Sequence, residues 1–301
     1  MTGAFASHIG RIETLNETIH PMRMAQAAAM LGLGREAADT LSGEGTALPP
    51  LFHLFFTNNT SDAGALNPDG HEKLGGFMPD VTSAGPFEGK PVVRRMWAAG
   101  DISFDGYLRV GEMARRTSTI TSIEEKKGST GPLIFVNVER VIEAASGRVT
   151  EKRTIVYREP PATTAIAPES QDMPGQDGMQ HHFTWHPDAI QLFRFSALTW
   201  NGHRIHYDAD HCRQNEGYPD LVTHGPFTAM MLALTATGAV TGEGIAPDLR
   251  GSRVLSRFRF RGTQPLFSGR KVQLHASADF TQLEARNHNA QQAMKANAEF
   301  G

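Results

Sequence analysis

A chain of 301 residues and 32.8 kDa has room for two ordinary domains or one large one. Its 40% hydrophobic and 20% charged residues are a globular balance, able to bury a core without metal or disulfide staples. The net charge of -3 and a pI near 6.5 give no reason to expect a nucleic acid or an anionic membrane as partner. Cys212 is the only cysteine, so no internal disulfide can form and a reducing compartment fits. The stretch from Met1 to Ile19 lacks the basic start and apolar run of a signal peptide, and no window approaches the roughly twenty apolar residues of a membrane span. A soluble cytoplasmic protein is the expectation.

In chain order, His20 to Leu33 is rich in Ala and Met and reads as a helix, with Gly32 and Gly34 marking its end. The two glycines do not make a nucleotide loop, because no strand precedes them and they follow a helix rather than open one. Leu48 to Phe56 is apolar after a proline stop, and residues 57–91 are rich in Gly, Pro, Asn and Asp, as long loops are. From there β-rich runs follow one another: Val92 to Ala98, Leu108 to Gly111, Arg116 to Glu124, Leu133 to Ile142 and Val149 to Arg158. Lys127 to Pro132 and Ser146-Gly147 look like hairpin connections. Residues 159–180 have the composition of a linker and divide the chain nearly in half.

In the second half, Ile190, Phe193, Ala197 and Leu198 recur at helical spacing over Pro187 to Leu198. His224 to Val240 is a long apolar run with Pro226 near its start, suited to the first turn of a buried helix. Arg253 to Arg261 alternates, with Arg257, Arg259 and Arg261 on one face and Phe258 and Phe260 on the other, which is strand periodicity. Lys271 to Phe280 and Gln292 to Phe300 are further strand candidates. Helical material followed by antiparallel strands in each half argues for an α+β fold.

The chemistry concentrates in Phe195 to Asp208, followed by Gly217 to Pro226. A carboxamide, Asn201, stands five residues before an imidazole, His206, in a polar loop, and Gly225 opens the apolar helix some twenty residues later. Imidazole shuttles protons near neutral pH. A carboxamide holds water or a carbonyl but cannot act as a base. A helix N-terminus offers unpaired N–H groups and the positive end of a dipole to an oxyanion. Together they are parts for proton transfer beside a thioester or ketone carbonyl.

The segment Thr199-Trp-Asn-Gly-His-Arg-Ile-His206 resembles the hydratase motif of MaoC-like hotdog proteins: Ser/Thr, any residue, Asp, any residue, Asn, Pro, an aliphatic residue, His. The spacing is kept, while Asn201 stands in place of the acid, His203 in place of the motif's Asn and Arg204 in place of its Pro. These departures, with Gly217-Tyr-Pro-Asp-Leu-Val-Thr-His-Gly-Pro226, resemble the hydroxyacyl-thioester dehydratase subgroup. Leu48-Pro-Pro-Leu-Phe-His53 and Arg94-Arg-Met-Trp-Ala98 carry the resemblance into the first half.

The resemblance implies an α+β double hotdog, two antiparallel sheets each wrapped around a long helix and paired as a pseudo-dimer. An N-terminal hotdog would occupy residues 1–160, a linker 161–180 and a catalytic hotdog 181–301. It implies hydration of a 2-enoyl-CoA thioester, or dehydration of a 3-hydroxyacyl-CoA, with a short, branched or dicarboxylic acyl group such as mesaconyl or itaconyl. His206 would take a proton from water and return one to the α-carbon, Asn201 would orient the water or the imidazole, and the Gly225 N–H would hold the enolate oxygen. Arg94, Arg95, Trp97, His203, Arg204 and His224 would meet the acyl end or the CoA. No metal or redox cofactor is implied, the CoA being part of the substrate. The partner would be the acyl-CoA alone, with neither nucleic acid nor membrane, and with room for a homodimer.

Plainer readings stand beside these. His206 could be a core histidine bonded to backbone, Asn201 a turn residue before Gly202, and Gly225 a site of close backbone packing. His203, His206 and His211, with His181 and His182 nearby, could be metal ligands, although their spacing is not a familiar zinc pattern. Arg94, Arg95 and the Arg257, Arg259, Arg261 face could be solvated strand surfaces. A hotdog thioesterase and a non-catalytic acyl-CoA-binding module are the rival functions; the missing carboxylate at Asn201 weighs against the first.

Overall fold

The computed structural model describes residues 4–90, 94–128, 131–159 and 174–301. In the first half come β1 (Ile12–Thr18), α1 (Pro21–Met30), α2 (Gly34–Leu41), a 3₁₀ turn at Phe52–Phe55, and then β2 (Arg94–Gly106), β3 (Met113–Gly128), β4 (Gly131–Ala144) and β5 (Gly147–Arg158). The second half has β6 (Gln180–Trp185), α3 (Ala189–Thr199), the single turn α4 (Ala209–His211) and α5 (Gly225–Thr237). The two-residue strands β7 (Val240–Thr241) and β8 (Gly244–Ile245) follow, then β9 (Leu255–Gly262), β10 (Val272–Ala276), β11 (Gln282–Arg286) and β12 (Gln292–Phe300). No helix among the described residues is long and apolar enough to cross a membrane.

Apart from the small β7–β8 hairpin, the strands form one antiparallel sheet in the order β1-β3-β4-β5-β2-β9-β12-β11-β10-β6. Read from either end the order is equivalent: β1-β3-β4-β5-β2 in one half answers β6-β10-β11-β12-β9 in the other. This is the expected α+β double hotdog, with the two half-sheets fused edge to edge. The fusion is the pairing of β2 with β9 from Ala99↔Arg261 to Ser103↔Arg257. Within it Gly100 lies opposite Phe260, and a Cβ at Gly100 would fall 2.4 Å from the ring. Only a hydrogen fits there, so the aromatic ring can lie flat across the seam.

In the second half the sheet wraps a single helix. All of α5 from Phe227 to Thr237 is buried, as a helix apolar on every side must be. Pro226 sits in its first turn and Gly238, at φ 86°, ends it in the left-handed conformation. In the first half the helical part is divided. Gly32 and Gly34 both take positive φ, so the chain turns and Gly34 opens α2 instead of closing α1. The Pro49-Pro50 pair then leaves only the turn Phe52–Phe55.

The strand readings hold for β2 to β5, β9, β10 and β12, with residues 92–93 of the first outside the described residues. Strands β1, β6 and β11 were not read in the sequence, and Leu108 to Gly111 and α3 also differ. Leu108 to Gly111 forms no strand, only one bridge between Ala47 and Arg109, because Gly106 and Gly111 both adopt positive φ and bend the chain there. Strand β11 had no apolar alternation to announce it; its central Glu284 is fully buried and accepts from the Gln176 N–H and the Gln292 amide. On α3, Ile190 and Phe193 are exposed, whereas Leu192, Phe195, Ser196 and Leu198 are buried. The helix carries apolar residues on most sides, and Phe195, stacked on Phe227 at 4.6 Å, decides which side faces the core. Of the β3–β4 connection, Gly128 pairs with Gly131, and residues 129–130 lie outside the described residues. So does most of the linker, residues 160–173.

If the seam depends on the missing Cβ, Gly100→Ala destabilises by about 1–3 kcal/mol, the usual cost of overpacking. Thermal unfolding checks this: a Tm equal to that of the parent protein would show that the ring moves aside freely.

Candidate active site

Between the halves lies a cavity of about 1090 Å³, bounded by the start of β2, the loop before it, the end of α3 and the N-terminus of α5. Helix α3 stops at Trp200, which takes the left-handed conformation at φ 53°. The chain then enters the loop of the catalytic motif, and a 3₁₀ turn, Arg204–His206, presents the histidine.

His206 lines the cavity and is otherwise buried. Its Nδ1 lies 2.7 Å from the Val222 carbonyl, which can only accept, so Nδ1 carries the hydrogen and Nε2 keeps its lone pair. Burial, only partly offset by that hydrogen bond, brings its pKa down to about 4. The ring is therefore a neutral acceptor at pH 7. Behind it stacks His224, centroids 3.5 Å apart and planes 18° off parallel, with its own Nε2 held 2.9 Å from the Ser196 hydroxyl. His224 is 1% exposed and does not line the cavity, so it backs His206 and does not reach a substrate there.

Asn201 also lines the cavity; its Oδ1 accepts the His203 N–H at 3.1 Å, which leaves the side-chain NH₂ to donate. Gly225 begins α5, and its N–H is the one the first turn can offer the cavity, Pro226 having none. A Cβ at Gly225 would come no closer than 3.9 Å to the Met294 methyl, so close packing does not require a glycine there.

Five further residues were expected at the substrate, His203 among them. Arg94 is spoken for: its Nε lies 2.6 Å from a Glu216 carboxylate oxygen and its guanidinium sits over Tyr218 at 5.2 Å. Arg95 lines the cavity and has no carboxylate within ion-pair reach among the described residues. Trp97 lines it too, with its indole N–H on Ala99 and Arg153 stacked 4.0 Å over the ring. Arg204 turns away from the cavity, binding Asp208 at 2.7 Å and the Pro68 carbonyl at 3.1 Å. Arg204 was expected to meet the acyl end or the CoA; in the structure its guanidinium instead clamps a loop.

That loop is what sequence reasoning missed. The Arg204 N–H donates to the Asp69 carbonyl at 2.8 Å, and a Cβ at Gly70 would fall 1.8 Å from the Gly202 carbonyl oxygen. The docking delivers Asp69 and His71 to His203. The carboxylate lies 3.0 Å from His71 Nδ1, and the His71 and His203 rings are 3.9 Å apart. Ligand-type atoms of Asp69, His71 and His203 all lie within 4.8 Å of one another, whereas the sequence had grouped His203 with His206 and His211. Asp69 is engaged by His71, and the Arg95 charge bears on all three, an environment that disfavours a cation. In the sequence, Asn67-Pro-Asp-Gly-His71 shows only a turn; nothing local marks its meeting with a motif 130 residues on.

A double hotdog with an imidazole facing a cavity at the mouth of the central helix defines a class, and the comparisons agree with it. A Mycobacterium tuberculosis protein described as a double hotdog fold superposes with a TM-score of 0.54 at 12% identity, over 97% of this chain and 96% of that one. The profile of the hydroxyacyl-thioester dehydratase type 2 family matches residues 51–268, and the chain belongs to that family. Among relatives, the mesaconyl-C(4)-CoA hydratase of Chloroflexus aurantiacus is 36% identical over 97% of this chain and 96% of its own length. The mitochondrial hydroxyacyl-thioester dehydratase type 2 of Schizosaccharomyces pombe is 26% identical over 78% and 79%.

The electrostatics predict an acid-sensitive fold. His71 and His206 are each drawn down to about 4, against a usual value of 6.5, burial being the main cause. Below pH 6.5 the unfolded chain therefore takes up protons that the folded chain refuses, and stability falls as pH drops from about 6.5 towards 4. Urea unfolding at a series of pH values should show this loss, and a His206→Gln variant should show less of it.

Proposed function

We propose that this protein is a hydro-lyase that adds water to a 2-enoyl-CoA thioester, or removes it from a 3-hydroxyacyl-CoA, with a short dicarboxylic acyl group. The observation that carries the reading is the His206 tautomer: Nδ1–H is fixed on the Val222 carbonyl, and the unprotonated Nε2 is left as the acceptor at a cavity by the N-terminus of α5. The thioester oxygen meets the Gly225 N–H, where the helix end stabilises the developing enolate. Nε2 takes a proton from water as its oxygen bonds to the β-carbon, and the π pair moves toward the thioester oxygen. The enolate then collapses and takes that proton at the α-carbon, so atoms and charge balance over the cycle. Asn201, with its NH₂ left to donate, holds the water or the carbonyl. Hydration is redox-neutral and His206 moves the proton, so the CoA of the substrate is the one non-protein group the reaction needs. A homodimer fits the same reading.

The dicarboxylate part rests on Arg95 and on the similarity to a mesaconyl-C(4)-CoA hydratase. A carboxylate brought out of water into a cavity needs a cation, and Arg95 supplies one not already committed to an acid. Arg94, held by Glu216, serves the structure instead.

Two measurements test this. His206→Ala should lower kcat by about 10²- to 10⁴-fold with the fold intact, the range for a lost acid–base group. Arg95→Met should raise KM for mesaconyl-CoA about ten- to a hundred-fold more than for crotonyl-CoA, which lacks the carboxylate. Equal effects on both substrates would remove the dicarboxylate. Release of free CoA thiol in place of loss of the enoyl-thioester absorbance would make the protein a thioesterase. Tight acyl-CoA binding with neither reaction would make it a binding module.

A further inference from the structure

The catalytic motif has lost its acid: Asn201 stands where the resemblance places Asp, and an amide cannot take a proton. The loop of the first half brings a carboxylate and an imidazole to the same cavity. Asp69, His71 and His203 all line it, together with His206 and Asn201. The Asp69 carboxylate receives both the His71 backbone N–H, at 2.9 Å, and the His71 Nδ1, at 3.0 Å. A carboxylate that faces Nδ1 keeps the hydrogen there and leaves Nε2 as the acceptor. Two imidazoles, one from each half of the chain, thus carry the same tautomer: His206 set by a backbone carbonyl, His71 set by Asp69.

We propose that Asp69 and His71 form a water-holding dyad, supplied by the N-terminal half, in which His71 Nε2 accepts one hydrogen bond from the attacking water while His206 Nε2 takes its proton. His71 is then a catalytic residue, and Asp69 is the positioning residue that fixes its tautomer. This rests on the hydro-lyase reading. A water molecule has two hydrogens and needs two acceptors to turn a lone pair toward the β-carbon. His206 accepts the hydrogen that is transferred, His71 accepts the one that stays on the new hydroxyl, and no further proton carrier is required.

Three residues that depart from the motif or flank a departure, Gly202, His203 and Arg204, dock this loop. Gly202 and Gly70 pass backbone to backbone where neither could carry a Cβ. Arg204, in the place of proline, has the N–H that binds the Asp69 carbonyl, a bond proline could not make. His203, in the place of Asn, stacks on His71 and meets His206 edge-on at 5.6 Å. Loss of the acid and gain of the docking contacts are changes in one eight-residue stretch.

Around His71 the ionisable groups are Asp69 and Glu72 on its own loop, Arg95 from β2, and His203 and His206 from the catalytic loop. Burial and Arg95 pull its pKa down to about 4 while Asp69 and Glu72 oppose them. His206 titrates in the same region. With both rings required neutral, the acid limb of kcat/KM should steepen toward the second power of proton concentration, read only at pH values where urea unfolding shows the protein still folded.

The test uses the full chain with the substrate that the parent protein hydrates fastest. His71→Ala and the near-isosteric Asp69→Asn should each lower kcat about ten- to a hundred-fold with little change in KM, the effect of a lost buried hydrogen bond. The acid limb should change from second to first order in the His71→Ala protein, and added imidazole should restore part of its kcat. Parent-like kcat in both variants, a rise in KM alone, or a lowered kcat with the limb still second order would overturn the proposal. If His71→Ala does not fold, His71→Gln takes its place. Nitrogen-15 NMR of the imidazoles reads the dyad without any substrate: His71 should be the Nδ1–H tautomer in the parent and lose that preference in Asp69→Asn. An unchanged tautomer overturns the dyad. A parent protein that hydrates no enoyl-CoA refutes the hydro-lyase reading instead, and the tautomer experiment still decides whether Asp69 fixes His71.

Discussion

The pairing of β2 with β9 is the contact on which the rest of the structure depends. It turns two five-stranded half-sheets into one sheet and places the first residues of β2, Arg94 to Trp97, beside the N-terminus of α5. The Trp97 carbonyl lies 4.0 Å from where a Gly225 side chain would begin. Gly100 makes the seam possible by admitting the Phe260 ring, which in turn packs 5.5 Å from Trp97. A cavity shared by both halves follows from that seam, since each half contributes a wall and neither closes it alone.

The two halves solve burial differently. The second fills its sheet with an apolar helix. The first, with its helical material divided, places charged groups on the inner face of the sheet and pairs them. Glu151, fully buried, is held to a pKa of about 2 chiefly by Arg153, 2.6 Å away, against the upward push of burial. Arg116, 1% exposed, binds Glu13 at 2.5 Å and Asn59 at 2.7 Å. Buried charges of this kind stabilise little beyond what they cost in lost solvation, but removing one partner leaves the other stranded. Of these groups Arg153 also lines the cavity, as does Arg140, so the first half is charged at its border with the cavity.

The chain belongs to the hydroxyacyl-thioester dehydratase type 2 family, and its cavity brings together the N-terminus of α5 and a histidine of defined tautomer. The active-site loop differs from the broader MaoC-like motif at three positions, and each difference has a partner in the structure: Asn201 caps the turn to His203, His203 meets His71, and Arg204 clamps Pro68 and Asp69. The changes are intelligible as one set because they face one loop.

Local chemistry was enough to read the strands β3, β4, β5, β9 and β12, the buried helix α5 with its proline start, and the Asn201, His206, Gly225 spacing. Alternation, caps and motif spacing are short-range properties, and sequence records them directly. What only the tertiary structure decided are matters of partnership: that Arg94 is neutralised by Glu216, that His224 backs His206, that Ile190 and Phe193 face outward, and that Asp69 and His71 reach the site. Each depends on which distant group fills a given space, and a guanidinium or imidazole looks the same in sequence whether its partner is a substrate, a carboxylate or a second ring. Pairings that span more than a hundred residues are set by the β2–β9 seam, whose register no local pattern encodes.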